Sequence, residues 1–434
     1  MFCHRLASVK LPESLTSIGH AAFMDCDSLK SITIPSGVTS IEQQLFYGCR
    51  SLQSVNLPDG ITKIGHYAFE GCQMLASLQL PNSVTSAGQG TFTGCSSLSA
   101  FSFPTSLTSI GDYMFRDCKA LASIHIPASV TEIGNAIFYG CSNLAEVTVD
   151  GDNPNYATSD GMLLGKNDGK MLFYFGRASS LVIPDYVASI MPYAFSGNET
   201  LTSLTIPNSV KEIQDWAFGE CDNIETLTYD TEAIGSTFNG KHSLKAVNIG
   251  NSVRSIGDEA FYECIRLEEI TIPASVTSIG REAFQDCHAL ASVTLPETLT
   301  SIGHKAFNEC PIATIKLPAS LRTLESNVFD NCQSLTKIEL PEGLTEISEG
   351  LFYICRALTT ATIPSTVTRI GSTAFEDCKS LSDVYCYATE PPSFEESSFN
   401  GIGAQATLHV PAASVEKYRA AWGGTFADIT AIGN

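Results

Sequence analysis

Leu290 to Ile312 reads LASVTLPETLTSIGHKAFNECPI, and the rest of the chain is variations on it. Pro296 divides the stretch in two. Before it, Val293-Thr294-Leu295 alternates apolar and polar; after it come Leu299, Ile302-Gly303, Ala306-Phe307 and Cys310. Cysteines recur at 3, 26, 49, 72, 95, 118 and 141, each 23 residues after the last, and again at 221, 264, 287, 310, 332, 355 and 378. Aligned on the proline, fourteen units carry Phe eleven places later, from Phe23 through Phe284 to Phe375. A length of 434 residues would otherwise suggest about three domains. A repeat of this period overturns that count, because it marks one array of stacked units.

The two halves have different periods. Alternation over the first six residues is the pattern of a strand with one face buried. Proline ends it, having no N–H to give to a ladder. The Ile-Gly-x-x-Ala-Phe-x-x-Cys half spaces its apolar residues three to five apart, which predicts one or two turns of helix or 3-10 helix, too short to stand without packing. Strand, turn and helical turn in 23 residues make one coil of a solenoid. Successive strands then pair in parallel, and each coil buries its apolar ring against its neighbours. The proline sites, with Asp150, Asp230 and Gly250 filling three of them, predict sixteen coils, and the stretch around Cys386 a seventeenth.

Composition narrows the function. With 25 Lys and Arg against 46 Asp and Glu, the net charge is −21. That argues against nucleic acid, whose phosphates need clustered cations, and against an anionic membrane surface. No run of 18 apolar residues occurs, so no transmembrane segment is expected. Met1 begins at the cysteine phase of a coil, in mid-repeat, which reads as a fragment of a longer chain; the missing signal peptide then says nothing about secretion. Fourteen cysteines in one phase, without C-x-x-C or Cys/His clusters, predict buried thiols in a packed ladder rather than a metal site. Cys386 falls outside that phase but on an inward strand position.

L-x-x-L-x-L opening a repeat of 20–29 residues is the leucine-rich-repeat signature. With Pro after L-x-L and the I-G-x-x-A-F-x-x-C tail, the unit resembles the BspA-like (Treponema pallidum-type) leucine-rich-repeat family over residues 1–390. The resemblance implies an α/β solenoid, a right-handed superhelix with a parallel β-sheet on one face and short helical or 3-10 turns on the other. It also implies a bacterial cell-surface or secreted protein used in adhesion and host-protein binding. The signature residues are the buried ones, so the resemblance speaks to fold more than to function.

The array breaks in three places. Between Asp150 and Pro184 the step is 34 instead of 23, and residues 151–183 hold two apolar runs, Met162-Leu163-Leu164 and Met171 to Phe175, around Lys166-Asn167-Asp168-Gly169. That predicts a β-hairpin. Asp150, Asp152, Asn153 and Asn155 do not fit a calcium loop, because Pro154 takes a ligand place and the glycine is missing. The coil at 230–249 is short and has Lys241 where cysteine belongs. Residues 391–434 leave the pattern and, with Tyr418, Trp422 and Phe426, read as a capping segment.

No Ser-His-Asp, Cys-His, phosphate-loop or metal-ligand constellation stands out from its repeat equivalents, so the sequence nominates no catalytic residue, metal or cofactor. The surface it offers is the outward strand face, a carpet of Ser, Thr and amides. Asn56, Gln79, His125, Asn248, Lys316 and Glu339 vary that carpet and are candidate contacts. Repetition cannot favour one register of a partner over the next, so specificity belongs where the repeat is broken. Tyr156, Phe173, Tyr174 and Arg177 in the insertion are the residue types that carry interface energy; the alternative is that the aromatics pack the hairpin onto the convex or lateral wall. The resulting expectation is a non-catalytic protein presenting an extended surface to a protein or glycan ligand outside the cell. The alternative is a structural stalk, favoured if the carpet is uniform and disfavoured if charged or aromatic clusters mark a few coils.

Overall fold

In a computed structural model that describes residues 3–433, the repeat forms a parallel β-solenoid of about 17 turns. The coil that begins at Glu269 shows how. In strand Glu269–Thr271 the middle residue points inward and the outer two face solvent. Ile270, Ile272, Val276, Ile279, Ala283, Phe284, Cys287 and Leu290 then line the interior, none more than 3% exposed. The next strand pairs in parallel and in register, Glu269 opposite Ser292 and Thr271 opposite Thr294. The expected strand, proline stop and parallel ladder are all present.

A second ladder runs beside the first. The Thr-Ser-Ile text after the proline supplies two-residue strands, such as Ser278–Ile279 beside Ser301–Ile302. Two residues carry no readable period, which is why the sequence did not announce them. Just before these strands, the hydroxyls of Thr62, Thr85, Thr108 and Thr131 each donate to the carbonyl of the threonine one coil back.

The Phe half departs from expectation. Helix is confined to three short 3-10 turns and one α-helix, Val415–Trp422, among the described residues. Elsewhere the helical turns of the sequence reading are replaced by chained tight turns with a left-handed residue two before and two after each ladder Phe, as at Glu282 (φ 54°) and Asp286 (φ 60°) around Phe284. A left-handed L-residue costs roughly 1–2 kcal/mol and cannot sit inside a right-handed helix. Spacing of three to four is common to helix and chained turns, so periodicity alone does not separate them. Hydrogen bonds offset the strain. Ala306, Asn308 and Cys310 donate within the coil to residues three back, while the alternate N–H groups of Lys305, Phe307 and Glu309 donate to Ser326, Val328 and Asp330 of the following coil. Each coil wall is therefore bonded both to itself and to its neighbour.

The chain divides into two compact units. The first comprises residues up to Ser179 with Pro184–Leu201 and Ser209–Cys221; the second comprises Ser180–Ile183, Thr202–Asn208 and the chain from Asp222. In the first, Phe23, Phe46, Phe69, Phe92, Phe115 and Phe138 stack with centroids 5.4–6.0 Å apart. Its outward strands pair as Ser31–Thr33 with Ser54–Asn56 and Ser123–Ile126 with Glu146–Val149, and no strand forms at 77–79 or 100–102. Phe101 and Phe103 explain the gap. Standing where other coils have smaller aliphatic residues, they wedge against Phe92 and Phe115 at 5.0–5.8 Å and leave less room for ladder spacing.

In the second unit, strands at 180–182, 203–206, 226–229, 246–249, 269–271 and 292–294 form one parallel sheet, and a further sheet runs from Lys337–Glu339 to Asp428–Ala431. Phe261 to Phe399 stack in order, and Phe399 meets Trp422 and Phe426 at 5.6 and 5.2 Å. Residues 391–434 thus add rungs to both ladders, Ser393–Phe394, Thr407–Val410 and Asp428–Ala431, before Trp422 covers the aromatic column. In the short coil Lys241 buries its stem in the cysteine place and extends Nζ to Asp222 at 2.9 Å.

All cysteines from Cys26 onward are buried and none is paired in a disulfide; Cys3 is exposed. Burial pushes the thiols of Cys49, Cys141 and Cys378 up to about 12. Cys386 points inward as expected, its Sγ 3.2 Å from Tyr418 Oη.

Candidate binding surfaces

The insertion is the first candidate. Met162–Gly165 and Lys170–Tyr174 form the expected hairpin, and Tyr156–Ser159 adds a third antiparallel strand across the Asp160-Gly161 turn. Lys170-Met171 then pairs in parallel with Ser189-Ile190, joining the insertion to the second ladder. Asn153 is the clamp at its entry. Its Nδ2 donates to Pro127 and Val130 carbonyls at 2.9 Å, and its Oδ1 accepts the N–H groups of Asn155 and Tyr156.

This corrects part of the sequence reading. Phe173 and Tyr174 are 7% and 3% exposed and face the core. Phe173 stands 5.4 Å from Phe138, and Tyr174 stands 5.3 Å from Phe195. They supply the rings that the missing coil would have supplied, so a partner does not reach them. Tyr156 is half-buried, with its hydroxyl accepting the N–H of Ile133 at 3.0 Å. Only Arg177 of the four is exposed, reaching Ser142 O at 3.3 Å.

On the strand faces, Asn56, Gln79 and His125 are exposed in the first unit, and Asn248, Lys316 and Glu339 in the second. They do not converge on one place. His125 Nδ1 contacts Thr148 Oγ1 at 2.9 Å; Lys316 pairs with Glu297 at 2.7 Å and Glu339 with Lys337 at 2.6 Å. Lys316 and Glu339 lie in adjacent coils, bridged at Thr314 and Lys337. Exposed pairs like these contribute little to stability and fix side-chain direction at most.

A denser cluster lies a few coils further on, shared between the coil around Cys386 and the segment read as a cap. Strand register sets Tyr385 beside His409, and His409 beside Thr430. The Tyr385 and His409 rings stack at 4.4 Å. His409 Nε2 meets Asp383 Oδ1 at 2.8 Å, and its Nδ1 meets Thr430 Oγ1 at 3.0 Å. That pattern suits the Nε2–H tautomer, with the threonine hydroxyl donating. Hydrogen bonds from His409 and Ser382 hold the Asp383 carboxyl below its usual range. A carboxylate, an imidazole and a hydroxyl in line are the parts of a base relay. Acyl transfer also needs free N–H donors for a developing oxyanion, and here the flanking backbone is engaged in the parallel ladder. What the arrangement does is hold an aromatic plane and a carboxylate rigid on the outward face. The signal was in the sequence: Asp383-Val384-Tyr385-Cys386 and Thr407-Leu408-His409-Val410 share the strand alternation, with Val384, Cys386, Leu408 and Val410 buried.

The repeat, the parallel ladders and the stacked Phe column define a leucine-rich-repeat solenoid. Residues 1–90, 62–156, 169–291 and 254–382 match the model of the BspA type leucine rich repeat region, in 6 copies, and the chain belongs to that family. Among solved structures it is similar to a leucine-rich repeat protein from Eubacterium ventriosum, at 24% identity over 76% of this chain and 83% of that one, with a TM-score of 0.52. A leucine-rich repeat protein from Bacteroides ovatus is 26% identical over 93% and 92% of the two chains, with a TM-score of 0.47. The pneumococcal vaccine antigen PcpA is 20% identical over 94% and 80%, with a TM-score of 0.48. No curated protein matches the chain. No helix among the described residues is long and apolar enough to cross a membrane.

Proposed function

We propose that this is a non-catalytic binding protein of the bacterial cell surface or secreted space, which engages a protein or glycan partner through its outward strand face. Family membership supports the location. The single observation that carries the binding reading is the Asp383–Tyr385–His409–Thr430 cluster. A stalk needs only a uniform soluble carpet, and over most coils Ser and Thr provide one. Here the carpet gives way to an aromatic ring, an imidazole and a carboxylate fixed by hydrogen bonds, the residue chemistry that concentrates interface energy. Lys337 and Glu339 begin the same sheet, and Thr360 and Thr362 separate them from the cluster.

The test is to return the cluster to carpet with Tyr385→Thr and His409→Thr, then compare the variant with the parent on immobilised extracellular-matrix proteins and a glycan array. Capture by the parent and loss in the variant, with unchanged thermal melting, supports the reading. Equal capture by both removes the cluster as the site. Capture by neither returns the molecule to the stalk reading.

A further inference from the structure

The turn wall of the first unit carries what its strand face lacks. One residue after the ladder Phe stand Tyr47, Arg116 and Tyr139; two before it stand Tyr67, Tyr113, Tyr193 and Trp216. Tyr and Trp are the side chains that lend most to interfaces, because they offer large area with few rotamers. In the second unit the same two columns hold two aromatics, Tyr262 and Tyr353, among residues such as Glu259, Glu282, Lys305 and Asp330. The concentration of aromatics is thus local and not a property of the repeat.

The wall already holds one cation, and how it does so is informative. The Arg116 guanidinium lies 4.9 Å from the Tyr139 ring centroid and 6.0 Å from that of Tyr113, with Asp117 Oδ2 3.3 Å from its Nε. Ring faces of neighbouring coils and a carboxylate together make a guanidinium seat. Tyr139 extends the set: its ring meets Tyr193 edge-on at 4.8 Å, and its hydroxyl donates to Glu220 Oε1 at 2.7 Å. Glu220 is thereby held four residues from Trp216, whose side chain leaves the residue 68% exposed. Charge nearby is in surplus on one side, since residues 191–221 contain Glu199, Glu212, Asp215 and Glu220 against Lys211 alone.

We propose that the turn wall around Tyr139, Glu220 and Trp216 is a docking surface for a protein segment presenting arginine side chains, each guanidinium taking a ring face and a carboxylate as Arg116 does. This rests on the protein being a binding scaffold, but uses a surface separate from the Tyr385–His409 cluster. Variants there leave it unchanged, so the two readings fail separately.

The probe is a fluorescein-labelled hexa-arginine peptide, with hexa-lysine and hexa-glutamate peptides as comparisons, followed by anisotropy at about 150 mM salt so that long-range attraction is screened. Trp216→Ala changes no charge, and Ala already occupies this place as Ala21 and Ala136, both left-handed. The expected result is saturable binding of the arginine peptide, weaker binding of the lysine peptide and none of the glutamate peptide. Trp216→Ala should weaken the arginine peptide roughly tenfold. Glu220→Gln should weaken it too, while Glu346→Gln, the same charge change in the second unit, should not. No binding of the arginine peptide, equal loss in Glu220→Gln and Glu346→Gln, or undiminished binding by Trp216→Ala with parental melting, would each overturn the proposal.

Discussion

The thiol of Cys287 donates to the carbonyl oxygen of Phe261, one coil back, at 3.2 Å. The same oxygen accepts the N–H of Cys264, also at 3.2 Å. The pattern repeats from Cys49 onto Phe23 to Cys378 onto Phe352. The ladder cysteine is therefore both a small core residue and a second donor to a carbonyl that already has one.

Because the carbonyl keeps its N–H partner, loss of the thiol is tolerated better than loss of the ring. Phe284→Ala should cost ~3–5 kcal/mol, since it opens a cavity inside a stacked column. Cys287→Ala should cost about 1 kcal/mol. Denaturant midpoints of the two variants measure the difference, and equal losses would contradict the assigned roles.

Native thiols should be nearly inert to a thiol reagent and become reactive on denaturation. Stability should also be steeply alkaline-sensitive. An unfolded thiol ionises near 9.0, while burial holds Cys49 and Cys378 neutral to about 12. The stabilisation from neutral burial is complete below pH 9 and is lost as pH rises towards 12. Each thiol ionised only in the unfolded chain contributes a slope of about 1.4 kcal/mol per pH unit. Melting temperatures flat from pH 9 to 11 would show that the thiols do not report on folding.

In the insertion, Phe173→Ala should destabilise the first unit by ~3–5 kcal/mol, whereas Arg177→Ala should change stability by less than about 0.5 kcal/mol. Chemical denaturation followed by hydrogen exchange over residues 115–195 distinguishes them. A neutral Phe173→Ala would mean the hairpin does not complete the aromatic column.

At the other end, Trp422 is fully buried, donates Nε1–H to Pro392 O at 3.2 Å and packs on Phe394 at 5.1 Å. Trp422→Ala should raise hydrogen exchange in strands Asp383–Cys386 and Thr407–Val410 well before it affects Glu269–Thr271. Uniform exchange across the second unit would argue against local closure by this side chain.

The buried half of the molecule was legible because it repeats. Ile270, Phe284 and Cys287 are fixed by burial, and fourteen copies show it. The left-handed residues were not legible, since Glu282, Tyr67 and Trp216 share a backbone conformation but no side-chain chemistry. The insertion aromatics misled for a related reason: Phe173 and Tyr174 look like interface residues by type, and only three dimensions show that a ring was missing between Phe138 and Phe195. Asp383 and Tyr385 keep the 23-residue register, opposite Thr360 and Thr362, and escaped notice because Tyr387 stands where the marker proline belongs; His409 lies one residue beyond that register, although the strand alternation persists.

Bonds between the Phe-bearing turns of successive coils point one way. The N–H groups of Glu282, Phe284 and Asp286 aim at the carbonyls of His304, Ala306 and Asn308, and coil after coil repeats the direction. Peptide dipoles of ~3.5 D each, aligned head to tail, add as they do in an α-helix. Adjacent parallel strands have no such bias, because their N–H groups alternate between neighbours. The Phe-bearing wall of each unit thus carries an electrical polarity along its stacking direction, positive towards the later coils. At that end of the second unit, around Phe399, stand Glu395 and Glu396, the sign of charge this polarity favours.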